Sequence, residues 1–349
     1  MEYDGGVKGK SKTRSNLDYA EFFKIGSDSM FSTSGSLVET LESGFGGRTD
    51  SFKILQWIHA ERTDTEAYLA QSEDKSKLVL SIRGSESLRD WAMNAQTFQT
   101  RWEPKLDSAG NAGCFAMCDS CCRNNEGKPM VHLGFYKAFL QLKHTVEDTM
   151  VEICKQGDVK EVIFCGHSLG GAVSNLCFAH FMMIPFGLQL LIRGIKITLG
   201  TIGAPRVGNI VFCELLAKKK KLFEDQGEIR VYRVTNNNDM IPCVPAHSAG
   251  YHHFGRPVIF KINNIETGDI VVNEELESVD YDEGEDDSML LTKAHISDGL
   301  KISKMETNSV LPKGFDYSEL FDALDYHLPR IYSECAQKAN VQVIGGGGK

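Results

Sequence analysis

One serine lies in a sequence context that favours nucleophilic chemistry. Ser168 stands between two glycines in the octapeptide Cys-Gly-His-Ser-Leu-Gly-Gly-Ala, residues 165–172. The apolar run Glu161–Cys165 before it is typical of a buried strand, and Ala172–Met183 after it carries apolar residues at helical spacing. A sharp turn between the two would strain the backbone at Ser168 and project its hydroxyl from the end of a sheet. The alternative is that Ser168 only caps the N-terminus of a helix.

A serine hydroxyl is a weak nucleophile until a histidine takes its proton and a carboxylate orients that histidine. After a strand-to-helix turn of this kind, the partners follow in the chain order acid and then histidine, each from a loop beyond a strand. Asp239 comes shortly after the predicted strand Ile229–Val234 and is our candidate acid. The alternative role for Asp239 is to cap a turn before Pro242.

The candidate bases are the five histidines that follow Asp239, at positions 247, 252, 253, 295 and 327. The first three lie too close to Asp239 in sequence to come from an independent loop. His295 borders a polar loop beside the acidic run Glu274–Asp287. His327 lies near the end of the chain, where the last loop of such a sheet returns to the site. We therefore rank His327 first and His295 second, with an ordinary surface histidine as the alternative.

Two backbone N–H groups are candidates for binding the negative charge that forms on an attacked carbonyl oxygen. Leu169 supplies one because it directly follows the nucleophile. Ser85 comes just after the predicted strand Lys77–Ile82 and is placed to supply the second, with its hydroxyl as a third donor. These two residues are the predicted oxyanion hole.

Alternating strands and helices must position these residues. Apolar patterning predicts strands at Ile54–His59, Glu66–Gln71, Lys77–Ile82, Glu161–Cys165, Ile195–Ile202 and Ile229–Val234, and helices at Phe135–Cys154, Ala172–Met183 and Asn209–Phe223. A late hairpin, Pro257–Ile262 with Ile270–Val272, is expected at the edge of the sheet, and Thr97–Met130 is expected to be a long loop. The order predicts an α/β fold with a mostly parallel central sheet and helices on both faces.

Composition limits the domain organisation and the partners. We expect a polar N-terminal extension at 1–50, one large domain at 51–335 and a short tail at 336–349. The formal net charge of -9 argues against a nucleic-acid partner. The segment Met1–Asn16 lacks the apolar stretch of a secretory leader, and no run of about 18 apolar residues occurs. These features predict a cytoplasmic protein.

Nine of the ten cysteines fall into two groups. Five lie singly in apolar elements and are expected to act as small buried apolar residues. The other group is the cluster Cys114, Cys118, Cys121 and Cys122. Structural zinc sites usually join two separated cysteine pairs, an arrangement that this cluster lacks. We favour a thiol-rich surface loop over a metal site, and we expect no metal.

Five segments occur together in one order along the chain: Arg83-Gly84-Ser85 followed by Asp90-Trp91 and Asn94, then Val131–Phe135, Gly166–Ala172, Gly203–Gly208 and Asn238–Pro242. Together they resemble the class 3 lipases, the fungal lipase-like family of α/β-hydrolases. The match covers roughly Ile54–Tyr332. The resemblance implies an α/β-hydrolase fold, with Ser168 as nucleophile, Asp239 as acid, His327 as base, and Ser85 with Leu169 as oxyanion hole.

The resemblance also implies a lid and a substrate class. The lid would be the short helix Glu86–Ala95, in which Glu86 begins the segment and Leu88 and Trp91 contribute to an apolar face. The alternative is an ordinary amphipathic helix packed on the core. The implied activity is a serine carboxylic ester hydrolase that cleaves acyl esters of glycerolipids through an acyl-enzyme, with no cofactor. Its partner would be a lipid or ester substrate at an interface, with transient contact to a membrane or lipid-droplet surface.

The chain departs from the family pattern in three places: the long connection Thr97–Met130, the acidic run Glu274–Asp287 and the absence of an acidic residue directly before His327. The alternatives to a lipase are a lipid acyltransferase, a small-ester esterase and a catalytically inactive fold that binds lipid. The sequence leaves acyl-chain length, positional preference, phospholipid versus neutral lipid and oligomeric state open.

Overall fold

A computed structural model describes residues 52–83, 98–103, 127–223, 227–236, 239–245, 247–264, 269–272, 327 and 331–332. Its strands are β1 (Phe52–Ala60), β2 (Thr65–Ser72), β3 (Lys77–Ile82), β4 (Gln99–Arg101), β5 (Met130–His132), β6 (Glu161–His167), β7 (Lys196–Ile202), β8 (Ile229–Asn236), β9 (Arg256–Asn264) and β10 (Asp269–Val272). Its α-helices are α1 (Leu133–Lys155), α2 (Leu169–Phe181), α3 (Pro185–Ile192) and α4 (Ile210–Phe223), and short 3-10 helices lie at Ile241–Cys243 and His247–Ala249.

The central feature is a mixed, mostly parallel sheet in which the described strands are ordered β1-β2-β3-β6-β7-β8-β9-β10. The pairs β3–β6, β6–β7, β7–β8 and β8–β9 are parallel, while the pairs β1–β2, β2–β3 and β9–β10 are antiparallel. Parallel neighbours end at the same edge, so the residues that follow β6, β7 and β8 meet there. The predicted α/β-hydrolase fold class and the edge hairpin agree with this arrangement.

The helices cover the sheet through apolar faces that the sequence spacing predicts. In α1 the buried positions include Phe135, Phe139, Leu142, Val146, Met150 and Ile153, which recur every three or four residues. Helix α2 is buried along almost its whole length and packs on β3, β6 and β7. A helix that is surrounded by the core can move little, so α2 fixes the residue at its N-terminus relative to the sheet.

The predicted long loop Thr97–Met130 differs from expectation at its two ends. Gln99–Arg101 and Met130–His132 form a two-stranded antiparallel ladder, β4 with β5, and residues 104–126 between them lie outside the described part. Three-residue strands carry too few side chains to show an alternating pattern, so the sequence does not reveal them. The ladder continues into α1, whose first turn is capped by the His132 ring, with Nδ1 accepting from the Gly134 and Phe135 N–H groups.

Helices α2 and α3 are joined at a bend of 79°. Across the described residues, no single helix is both long and apolar enough to cross a bilayer, and only this bent pair passes the same test jointly, by length and composition.

Candidate active site

Ser168 occupies a strained turn between β6 and α2. Its backbone has φ 56° and ψ −127°, a conformation that a residue with a side chain rarely adopts. The Ser168 N–H donates to the Ile202 carbonyl oxygen at the end of β7, over 2.9 Å. The serine is fully buried, and its Oγ makes no hydrogen bond to any described residue. A hydroxyl held in this way is available to a substrate or to a base.

Gly170 explains why this turn needs glycine. A Cβ at Gly170 would overlap the carbonyl group of Ile82, the last residue of β3. The first turn of α2 is therefore pressed against the end of β3, where Arg83 pairs with Glu66 over 2.6 Å. Leu169 is the first residue of α2, and an N–H at that position has no partner within the helix. This N–H lies directly beside Ser168 and is free of intrahelical bonding.

Asp239, in the loop that follows β8, and His327, from the C-terminal region, form a buried pair. His327 Nδ1 lies 2.7 Å from Asp239 Oδ2, and both side chains are 0% exposed. Because a carboxylate accepts, Nδ1 donates the hydrogen bond to Asp239, and in a neutral imidazole of this tautomer Nε2 carries the lone pair. Nε2 is buried and has no hydrogen-bond partner among the described residues. An imidazole held in this way can act as a base through Nε2.

The Asp239 carboxylate is held by three donors. Oδ2 accepts from the Tyr332 hydroxyl at 2.5 Å as well as from His327, and Oδ1 accepts from the Ile241 N–H at 2.9 Å. Burial raises the pKa of Tyr332 well above 10, and the adjacent Asp239 charge raises it further. Tyr332 therefore remains a donor at all ordinary pH values, and its oxygen also accepts from the Asn236 N–H at 3.2 Å.

The turn after β7 brings these groups together. Gly203 has φ +55°, and a Cβ there would lie 2.9 Å from both Asp239 Oδ2 and His327 Cε1. Three residues on, the buried Arg206 guanidinium donates to the carbonyls of Cys243 and, at 3.0 Å, Pro245, in the loop that follows Asp239. The Gly-Ala-Pro-Arg segment at 203–206 therefore shapes the site. Its glycine leaves room for the Asp239–His327 pair, and its arginine holds the loop that follows Asp239.

The structure places the predicted site residues as follows. The Ser168 N–H bonds to Ile202, and the next residue, Gly203, lies beside the Asp239–His327 pair, so all three candidates lie at one edge of the sheet. No described contact is a hydrogen bond between Ser168 Oγ and His327 Nε2. The oxyanion candidate Ser85, the lid residues Glu86, Leu88 and Trp91, the alternative base His295, the acidic run 274–287 and the cysteine cluster at 114–122 lie outside the described residues.

Sequence reasoning did not assign roles to four residues of this site: His167, Gly203, Arg206 and Tyr332. Three of them belong to segments that carry the family resemblance, which was the signal available. Tyr332 follows His327 by five residues and belongs to none of those segments. Its contact with Asp239 joins positions that are 93 residues apart, a distance that local pattern cannot bridge.

The fold and the geometry define an α/β-hydrolase with a serine at the strand-to-helix turn and a buried acid–histidine pair beside it. The family model described as lipase (class 3) matches residues 79–249, so the chain is similar to this family. The chain is 28% identical over 192 residues to a secreted mono- and diacylglycerol lipase A from Penicillium cyclopium, covering 55% of this chain and 50% of that protein.

One further relative and one solved structure are similar to this chain. A secreted mono- and diacylglycerol lipase 1 from Fusarium solani is 27% identical over 204 residues, covering 58% of this chain and 50% of that protein. A solved structure, the native propeptide complex of Rhizomucor miehei lipase, has a TM-score of 0.53 at 22% identity and covers 69% of this chain and 67% of that one, which supports the fold. The chain spans about half the length of the curated relatives from Penicillium and Fusarium.

The prediction of a cytoplasmic location is wrong. The matched mono- and diacylglycerol lipases of Penicillium cyclopium, Penicillium camembertii and Fusarium solani are secreted proteins. The prediction depended on the lack of an apolar stretch in Met1–Asn16, and a missing pattern of that kind does not determine where a hydrolase of this family acts.

Proposed function

We propose that the protein is a serine carboxylic ester hydrolase, a lipase that cleaves acyl esters of glycerolipids with Ser168, Asp239 and His327 as its catalytic triad. The observation that carries the proposal is the buried His327–Asp239 pair, whose free Nε2 lies at the same sheet edge as the strained and unpartnered Ser168 hydroxyl. The match of residues 79–249 to the class 3 lipase family model supports the same activity.

The proposed first half-reaction forms an acyl-enzyme. Ser168 Oγ attacks the carbonyl carbon of the ester while its proton passes to His327 Nε2. Asp239 keeps its negative charge and stabilises the imidazolium through the 2.7 Å contact with Nδ1. The Leu169 N–H, with Ser85 as the second donor, binds the oxyanion. When the carbon–oxygen bond to the alcohol breaks, the imidazolium returns the proton to the departing alcohol oxygen.

The second half-reaction releases the fatty acid. Water gives a proton to Nε2 and attacks the acyl carbon, and the proton then returns to Ser168 Oγ as the bond to the serine breaks. The side chains named here account for every proton transfer. The route therefore needs no cofactor or metal.

The substrate class comes from the relatives. Two of them are named for mono- and diacylglycerols, and a relative from Arabidopsis thaliana that is 28% identical over 217 residues is named a phospholipase A(1). Acylglycerols and glycerophospholipids share an acyl ester of glycerol. We propose that this ester bond is the one that the protein cleaves. The segment Glu86–Ala95, with Leu88 and Trp91 on its apolar side, is the proposed lid that opens at a lipid interface.

The test is hydrolysis by the purified protein of p-nitrophenyl butyrate in solution and of diacylglycerol in emulsion. We expect Ser168→Ala to abolish both activities. Ser174→Ala is the matched control, because Ser174 is a buried serine of α2 whose Oγ donates to the Cys165 carbonyl and lies outside the proposed site. Undiminished hydrolysis by Ser168→Ala would refute the proposal. Acyl transfer to added alcohol in place of release to water would indicate the acyltransferase alternative.

A further inference from the structure

His167, the last residue of β6, contacts His327 in two ways. His167 Nε2 lies 2.8 Å from the backbone carbonyl oxygen of His327, and the two ring centroids are 4.5 Å apart with an interplanar angle of 37°. A carbonyl oxygen can only accept, so Nε2 of His167 carries the proton and Nδ1 does not. One side chain therefore restrains both the backbone and the ring of His327.

His167 is suited to stay uncharged beside a histidine that becomes charged. It is fully buried, and this burial lowers its pKa well below the usual value, with the neighbouring His327 lowering it further. In the proposed mechanism His327 is an imidazolium in each half-reaction. A neutral His167 does not destabilise the His327 imidazolium, whereas a second charged ring at this distance would repel it.

Packing alone does not explain a histidine at this position. Nδ1 of His167 is buried and has no hydrogen-bond partner among the described residues. A buried polar atom without a partner is costly, and an apolar side chain of similar size would fill the space without that cost. The feature that an apolar side chain could not reproduce is the hydrogen bond from Nε2 to the His327 carbonyl.

We propose that His167 is a positioning residue that sets the distance between the nucleophile and its base. His167 and Ser168 are consecutive, so their Cα atoms are fixed at about 3.8 Å. The bond from His167 Nε2 to His327 thus ties the base to the same short stretch of chain that carries the attacking hydroxyl. The inference rests on the proposed triad function of Ser168 and His327.

Three variants test the role. His167→Gln keeps an amide N–H at about the reach of Nε2, His167→Leu fills the volume without a donor, and His167→Ala removes both. We expect kcat for p-nitrophenyl butyrate to fall by about 10- to 100-fold in the Leu and Ala variants with KM unchanged, because the base is displaced by a fraction of an ångström to about one ångström. His167→Gln should recover most of the loss. Rates are divided by the sites counted with a fluorophosphonate, which removes any unfolded fraction.

The matched control is His180→Gln. His180 is a buried histidine of α2 that pairs with Glu147 over 3.0 Å, outside the proposed site. The control should lose stability but keep the wild-type kcat per labelled site. A wild-type kcat in His167→Leu, or no recovery in His167→Gln relative to Leu, would overturn the inference.

A measurement on the unaltered protein tests the inference even if the variants do not fold. Nitrogen-15 correlation spectra of the histidine rings should show His167 as the neutral Nε2–H tautomer at pH 7. A His167 that is cationic or protonated at Nδ1 would overturn the proposal. If the wild-type protein neither hydrolyses esters nor reacts with the fluorophosphonate, the proposed function has failed. If both occur and the His167 variants behave as wild type, only the positioning role has failed.

Discussion

Gly203→Ala is the substitution whose effect follows most directly from the geometry of the site. Gly203 has φ +55°, and an added Cβ would lie 2.9 Å from Asp239 Oδ2 and from His327 Cε1, whereas ordinary contact begins at 3.4 Å. The Asp239–His327 pair would have to retreat by roughly 0.5 Å, a shift large enough to disturb the alignment of the proposed base with the proposed nucleophile. The Gly203 N–H is bonded to the Val234 carbonyl at 2.8 Å, which limits how far the glycine itself can move.

The backbone strain of Gly203→Ala and the steric clash of its Cβ with the Asp239–His327 pair should have different effects on stability and on kcat. Placing a side chain at a positive φ costs about 1–2 kcal/mol of stability, and misplacing the pair should lower kcat by about 10- to 100-fold. Gly194→Ala is the matched control, since Gly194 also has a positive φ, +75°, but an added Cβ would meet nothing within 4 Å. It should show the stability loss alone.

The assay combines urea unfolding with hydrolysis of p-nitrophenyl butyrate, normalised to sites titrated with a fluorophosphonate. Gly203→Ala should be less stable than Gly194→Ala and much less active per site. A Gly203→Ala protein with wild-type kcat would refute the reasoning. It would mean that a side chain at position 203 does not displace the Asp239–His327 pair enough to affect catalysis.

Three other effects are expected from the structure. The free energy of unfolding in urea should be about 1–2 kcal/mol higher for Ser168→Gly than for Ser168→Ala, because glycine relieves the backbone strain at φ 56°. Equal stability of the two variants would contradict that strain. Tyr332→Phe should destabilise the protein by about 1.5–3 kcal/mol in urea unfolding and lower kcat, because the Asp239 carboxylate loses a donor; an unchanged midpoint and rate would contradict the role of that bond. Burial holds the pKa values of His167 and His253 well below the usual value, so as the pH falls below about 6.5 these histidines take up protons in the unfolded chain before they do so in the folded protein. Each histidine should then lower the free energy of unfolding by up to about 1.4 kcal/mol per pH unit. A urea unfolding midpoint that stays constant from pH 7.5 to 5 would contradict this.

Most of the fold could be predicted from the sequence, because the local spacing of apolar residues indicates most of the strands and helices. The apolar spacing in Phe135–Cys154 predicts the buried face of α1, and the continuous apolar run at Glu161–Cys165 predicts a central strand of the sheet. The prediction for α2 began at Ala172, but the helix begins at Leu169. Gly170 and Gly171 disfavour helix by intrinsic propensity, and close packing against β3 overrides that preference.

The candidate site could be predicted from the sequence only in part. Motif and chain order single out Ser168, Asp239 and His327, and the structure shows the Asp239–His327 contact directly. The contacts of His167 and Tyr332 join segments 160 and 93 residues apart and depend on how loops converge, which no local pattern encodes. The oxyanion role of Ser85, the lid at 86–95 and the domain boundaries remain predictions.

The central claim is that His327, held by Asp239, activates Ser168, and covalent labelling tests it most directly. The wild-type protein, Ser168→Ala and His327→Ala are each treated with a fluorophosphonate, and the modified peptide is mapped by mass spectrometry. We predict a single label on Ser168 in the wild type, none in Ser168→Ala, and labelling slowed by about 10²- to 10⁴-fold in His327→Ala. A label on another residue, or an unchanged rate in His327→Ala, would contradict the account.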